Sequence, residues 1–395
     1  MKCFRLLFVL VAAAAIIFGG SGYALAFHAG GVADCEGCHS MHSSPMGAST
    51  LLIGTDPGST CLDCHAGNWT ATSKNYHIFS NDGSVQSPGG DFFWLTQDYS
   101  VNVGWTTKQY HGYDNGHNIV ATDFGLLAGA DPDNTTAPGS SINYPQSSLS
   151  CNSCHNPHGG GGTDQIGNTN AQLPISGSGS YGGTPPTDTR FGNYRLIYDQ
   201  DDGDVPPGLA TYNIDAPVAV ANGASGMQYI ETNDSHPAYK SGMSDFCGAC
   251  HDLFLQSGGT ANTKHPVNHQ LGPTIAQNYN YYQATGNYDA ANSATAYLPL
   301  VAYEDTSTAN TPTNTAGPPS GAQVMCLTCH RAHATAFTYM GRWQFDTELL
   351  AEGQVPTTAQ VTVMADNTVP YYGRDIASVF GEYQRSLCNK CHVQD

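Results

Sequence analysis

Twelve of the chain's 13 cysteines stand in pairs two residues apart, and a histidine follows the second member of every pair. The units are Cys35/Cys38/His39, Cys61/Cys64/His65, Cys151/Cys154/His155, Cys247/Cys250/His251, Cys326/Cys329/His330 and Cys388/Cys391/His392. On a helical turn, positions i, i+3 and i+4 share a face. Two thiols and one imidazole are then offered together: the thiols to the vinyl groups of one haem, the imidazole to its iron. In an exported chain, CxxCH reads as c-type haem attachment.

Other uses of paired cysteines explain less. A disulfide scaffold has no reason to place histidine after every second cysteine. Zinc held by paired CxxC units leaves six histidines without a role. A thioredoxin-like site is a single motif in a βαβ setting. Haem attachment accounts for all six units, which gives six haem c groups, each held by two thioethers.

The odd cysteine, Cys3, lies in an N-terminal segment built as a secretory signal: Lys2 and Arg5, an apolar run from Leu6 to Phe18, then Ala24-Leu25-Ala26. The expected organisation is therefore a signal peptide over 1–26 and one elongated hexahaem unit over 27–395. The apolar run is short for a bilayer and no other stretch is apolar enough, so no membrane span is expected. Cleavage removes two of 13 basic residues and none of 32 acidic ones, taking the formal charge from −19 to −21. That balance excludes nucleic acid as a partner, which would require a basic face.

Only 11% of residues are charged, against about 25% in ordinary domains, while glycine and proline number 45 and 22. The 22 tyrosines, 14 phenylalanines and four tryptophans argue against disorder. The expected fold is mostly coil with short helices at the haem motifs and little sheet, the haem stack serving as core. Gly159–Gly183 and Ser307–Gly321 read as loops. A longer helix is expected over Phe337–Gly353, with Tyr339, Trp343 and Leu350 on its apolar side. Short strands are expected near Ala216–Val220 and Gln360–Val363. The motifs begin at 35, 61, 151, 247, 326 and 388, without the fixed period of a solenoid.

Ten histidines remain as second axial ligands for six irons. Three extend a motif to CxxCHxxH: His42, His158 and His333. Such a residue lies on the same side of its own haem as the proximal ligand, so it can reach only a neighbouring haem. The other distal ligands are drawn from His77, flanked by apolar Ile78, His117 in a glycine-flanked turn, and His265 ahead of Pro266, with His28 in reserve. His111, His236 and His269 are expected at the surface or behind the ligands, and the methionines in packing. Two imidazoles per iron close it to substrate and leave electron transfer as its chemistry.

The chain resembles the OmcS-like hexahaem outer-surface c-type cytochromes of Geobacter, a filament-forming family. The resemblance is carried by Phe27-His28-Ala29-Gly30-Gly31-Val32-Ala33, Ser40-Met41-His42, Gly89-Gly90-Asp91-Phe92 and Gly116-His117-Asn118-Ile119-Val120. It continues through Asn156-Pro157-His158-Gly159, Gly242-Met243-Ser244, Arg331-Ala332-His333-Ala334, Tyr371-Tyr372-Gly373-Arg374 and Tyr383-Gln384-Arg385. It implies two histidines at every iron and a continuous haem stack. It also implies that His42 completes the fifth haem, held by His330, of the adjacent subunit. If each CxxCHxxH serves the preceding odd-numbered haem, His158 caps the first iron and His333 the third. Only another copy then follows the fifth, which gives a head-to-tail, non-closing assembly. His111, His236 and His269 match no position of the family pattern, and the pairing at the even-numbered haems stays open.

Three functions compete. The first is an extracellular or outer-surface electron conduit, polymerised from copies of this chain and serving other redox cytochromes and extracellular acceptors. The second is a monomeric periplasmic carrier with the same haem chemistry. The third, a multihaem reductase, needs an open iron, and no motif replaces its proximal histidine. No catalytic residue is expected.

Overall fold

Glycine- and proline-rich connections keep the elements short. The computed structural model describes residues 37–40, 51–68, 77–85, 87–103, 106–157, 197–200, 204–220, 231, 236–255, 267–280, 301–350 and 385–392. The elements are α1 (Pro57–His65), β1 (Tyr99–Val103), β2 (Thr106–Tyr110), β3 (Val218–Val220), β4 (Ala238–Ser241), α2 (Met243–Gly248), α3 (Asp252–Leu255), α4 (Gly272–Tyr279), α5 (Cys326–Cys329) and α6 (Leu387–Cys391), with six short 3-10 turns among the described residues. No described helix is long and apolar enough to cross a membrane.

Four of the helices carry cysteines of the motifs: α1, α2, α5 and α6. A 3-10 turn over Cys151–Ser153 carries the third motif. Helix α1 shows how so short an element is fixed. Asp56 caps it by accepting from the Ser59 N–H at 2.7 Å, and Pro57 opens it; losing such a cap costs about 1 kcal/mol. Beyond His65 the chain turns extended, and Ala66 bridges to Phe79.

The sheets are two antiparallel pairs, β1 with β2 and β3 with β4. Strand β3 falls within the strand expected near Ala216–Val220; the β1–β2 pair is an addition to the expected strands. The largest apolar cluster joins Leu62, Phe92, Phe93, Trp94, Ile119, Phe337, Trp343 and Leu350. It gathers residues from beside the second, fifth and sixth motifs, and each large side chain buried there is worth about 1.5–3 kcal/mol.

The helix expected over Phe337–Gly353 is not formed, as far as residue 350. Thr338–Met340 make one 3-10 turn in which Tyr339 and Met340 adopt φ of 58° and 56°. Two successive left-handed residues end any α-helix. Trp343 and Leu350 are nevertheless buried, whereas Tyr339 is 72% exposed. The strand expected at Gln360–Val363 and the signal segment 1–26 lie outside the described residues.

Candidate haem sites

The motifs lie next to one another in chain order from the second to the sixth. The Cys61 and Cys151 thiols are in hydrogen-bond contact, as are those of Cys247 and Cys326. Cys154 is close enough to Cys250, and Cys329 to Cys388 and Cys391, for each pair to interact electrostatically. Burial pushes the Cys154 and Cys329 thiols up to about 12 and Cys250 to about 11. Such groups are poor thiolates for a zinc ion, and no group of three or more His, Cys, Asp or Glu among the described residues could hold a bare metal. Apolar surroundings of this kind suit a porphyrin edge.

Eleven of the twelve cysteines expected to form thioethers lie among the described residues: Cys38, Cys61, Cys64, Cys151, Cys154, Cys247, Cys250, Cys326, Cys329, Cys388 and Cys391. Cys38 is half-buried, with its carbonyl accepting from the Ile53 N–H at 3.0 Å, and Cys64 is exposed at the end of α1. Exposure leaves Cys64 open to a haem edge arriving from outside the polypeptide.

What the fold brings together instead of a metal cluster is imidazoles in pairs. The rings of His155 and His333 have centroids 6.4 Å apart, and those of His117 and His251 6.1 Å. Metal–imidazole bonds of about 2.0–2.1 Å plus half of each ring put two ligands on opposite faces of one ion about 6 Å apart, centre to centre. Both pairs therefore have the spacing of axial ligands on a single iron. One member of each is a motif histidine; the other comes from far along the chain.

Backbone carbonyls fix which nitrogen of each ring is available. Nδ1 of His117 donates to the Ala332 carbonyl at 2.7 Å, His251 to Pro138 at 2.6 Å, His330 to Tyr339 at 2.6 Å and His77 to Asn68 at 3.2 Å. A carbonyl can only accept, so the proton sits on Nδ1 and the Nε2 lone pair is left for a metal. Burial, reinforced by the neighbouring His251 ring, pushes His117 down to about 4, so it is neutral at pH 7, as a ligand must be.

The placement of His117 and His333 is one construction. The 331–335 segment runs between 87–91 and 115–117. His333 N–H donates to Gly89 O at 2.8 Å, His117 N–H to His333 O at 2.9 Å, Asp91 N–H to Ala334 O at 2.9 Å and Thr335 N–H to Asn115 O at 3.0 Å. The His333 ring stacks on Phe92 at 4.8 Å. Glycine is required opposite it: a Cβ on Gly89 would come within 2.5 Å of His333 Nδ1.

At the second motif, His77 lies against Gly67, just past His65, and Ile78 N–H donates to His65 O at 2.9 Å. At the first and sixth, His39 bridges to Leu52, and the His392 N–H closes onto Cys388 O at 3.0 Å. His28, Cys35, His42, His158 and His265 lie outside the described residues.

The remaining histidines are placed otherwise. Both ring nitrogens of the buried His236 face carbonyls, those of Pro237 and Asn314. His111 stacks on Tyr113 at 5.0 Å and contacts Asp98 at 3.7 Å; His269 is exposed.

Sequence reasoning missed the carbonyls that orient the imidazoles and the aromatic rings beside them, Phe92 on His333 and Phe254 on His251. Pro88-Gly89-Gly90 and Pro138-Gly139 were available as signals, because such pairs mark tight turns where backbone approaches closely.

No protein-family profile matches the chain. In sequence it is 36% identical to the C-type cytochrome OmcS of Geobacter sulfurreducens, over 98% of this chain and 98% of that protein. In structure it is similar to the Outer Membrane Cytochrome S filament from Geobacter sulfurreducens, with a TM-score of 0.70 and 32% identity over 93% of this chain and 100% of that one. It is also similar to the OmcS nanowires of the same organism seen by cryo-EM, with a TM-score of 0.72, 34% identity and the same coverage.

Proposed function

The chain belongs to the family of the C-type cytochrome OmcS, and on that premise we propose that it is an extracellular electron conduit that polymerises head to tail into a conducting filament. Residues 1–26 are removed on export, and 27–395 form one elongated unit at the outer cell surface. The unit holds six haem c groups through the twelve motif cysteines, Cys38 and Cys64 included. Its partners are further copies of itself, other redox cytochromes and extracellular electron acceptors. When bound, the haems supply the one-electron iron centres.

The chain's own residues close those centres. His155 and His333 hold the third iron, and His251 and His117 the fourth. His39 and His158 hold the first. His65 and His392 hold the second and sixth, with His77 and His265 as their distal candidates and His28 in reserve. His330 holds the fifth, completed by His42 of the next copy. The observation that carries this reading is the spacing of the two ring pairs, 6.4 and 6.1 Å. An iron with imidazole on both faces has no position for substrate, so what remains is electron transfer at low potential. Each subunit that lends its His42 forward and receives another behind makes a heterologous contact, and such contacts propagate.

The test is His42→Ala. The secreted variant is expected to carry six haems and to appear as discrete particles by electron microscopy, with one iron per subunit altered. Filaments of normal length from that variant would contradict the shared ligand.

A further inference from the structure

Four consecutive residues, His330 to His333, bear on three of the proposed irons, and the role given to Arg331 rests on that ligand assignment. His330 is a ligand of the fifth iron. The Ala332 carbonyl orients His117, ligand of the fourth, at 2.7 Å. His333 faces His155 across the third. Between them stands Arg331, its side chain only 6% exposed.

We infer that Arg331 is the positioning residue of a three-iron junction, locking segment 330–333 so that the ligands of the third, fourth and fifth irons keep one shared geometry. Its Nη1 donates to the Ser87 carbonyl and, at 3.0 Å, to the Pro88 carbonyl. Those are the two residues before Gly89, whose own carbonyl receives the His333 N–H. The same loop thus grips the arginine side chain and the ligand's backbone. Nη2 lies 3.4 Å from Glu231, which also contacts Arg342 at 3.6 Å; Arg342 Nε in turn donates to Leu327 O, inside the fifth motif, at 2.6 Å. On the opposite side, the Arg331 N–H donates to Met340 O at 2.8 Å, beside the Tyr339 carbonyl that holds His330. Tyr339 and Met340 are two of the described non-glycine residues with positive φ. Left-handed backbone is unfavourable for residues with a side chain, and strain of this kind persists where a site is over-determined.

A buried ion cluster is a poor way to add stability, because apolar side chains of the same volume often do as well or better. Planar guanidinium donors aimed at two successive carbonyls are, however, a good way to fix a loop. The burial of Arg331 therefore serves positioning.

The experiment uses the secreted, haem-loaded full chain with Arg331→Met, which keeps length and loses the donors, and Arg331→Lys, which keeps one charged donor group. The readout is the electron paramagnetic resonance of the ferric protein, whose g-values follow the relative orientation of the two imidazoles on each iron. The native protein must first show every haem low-spin with two histidines; failure there sinks the ligand assignment itself. With that in place, Arg331→Met is expected to shift three of the six haem signals and leave the others, and Arg331→Lys to restore part of the shift. A change confined to one haem, or to none, would overturn the junction. Loss of haem from the whole chain in both variants would overturn it equally, by making Arg331 a requirement of the entire fold.

Discussion

His117 and His77 are both partly buried imidazoles whose Nδ1–H donates to a backbone carbonyl, but those carbonyls come from very different places. His77 reaches Asn68, nine residues back, at 3.2 Å. Its segment returns directly over the end of α1, with Ile78 bonded to His65 and Gly67 to Phe79. His117 reaches Ala332, 215 residues away, at 2.7 Å, and its backbone is tied to His333 as well. The first imidazole can be positioned by a local loop. The second is positioned only after the fifth motif has packed against the 87–91 and 115–117 segments. A coil-rich chain thus places some of the proposed ligands locally and others through long-range contacts, and the two kinds should fail differently.

The contrast is broken most strongly by truncation. His117→Ala is expected to convert one low-spin haem to high-spin and to strand the Ala332 carbonyl, at a cost of about 1–3 kcal/mol. His77→Ala is expected to change one haem at most and to lower stability by about 1 kcal/mol or less. Absorption spectra with guanidinium unfolding midpoints separate the two, and equal losses of stability would erase the distinction.

A pH effect should mark Asp91, which joins the two sides: its carboxyl accepts from Ser80, close after His77, and its N–H donates to the Ala334 carbonyl. Burial raises Asp91 to about 6, against the opposing pull of the hydrogen bonds from Ser80, Phe93 and Val85. The unfolded chain loses this proton near pH 4 and the folded one near pH 6. The folded state therefore binds more protons between those values, and stability falls as pH rises across the window. The difference of about two units amounts to at most about 3 kcal/mol. Asp91→Asn is expected to flatten the unfolding midpoint across that window; an unchanged slope would remove Asp91 as its source.

A single added methyl group probes the long-range side at one ring. Gly89→Ala is expected to cost about 1–3 kcal/mol by forcing the His333 ring off Phe92, and to disturb the signal of one haem while leaving the one that His77 serves unchanged. Resonance Raman spectra of the purified variant check this. At the bottom of the scale, His236→Gln is expected to leave all the haem signals as they are, because both nitrogens of that ring already face carbonyls. A high-spin band in that variant would make His236 a ligand.

The same contrast explains what can be read from sequence. The motifs are legible because a thioether pair and its histidine need a fixed local spacing. The order of the CxxCHxxH units points His333 to the third iron, and its ring stands 6.4 Å from that of His155. The carbonyls of Ala332, Pro138 and Tyr339 are not legible, because side-chain patterns carry no record of where a backbone oxygen points. The spacing of Tyr339, Trp343 and Leu350 imitates a helix for the same reason. What decides that stretch is the left-handed turn that presents the Tyr339 and Met340 carbonyls to His330 and Arg331.

The most direct trial is near-infrared magnetic circular dichroism of the ferric, secreted protein, in which the charge-transfer band distinguishes paired imidazoles from imidazole with methionine or an open site. Intensity corresponding to six bis-imidazole centres per chain is the expected result. A methionine-ligated or high-spin component in the untreated protein would contradict it.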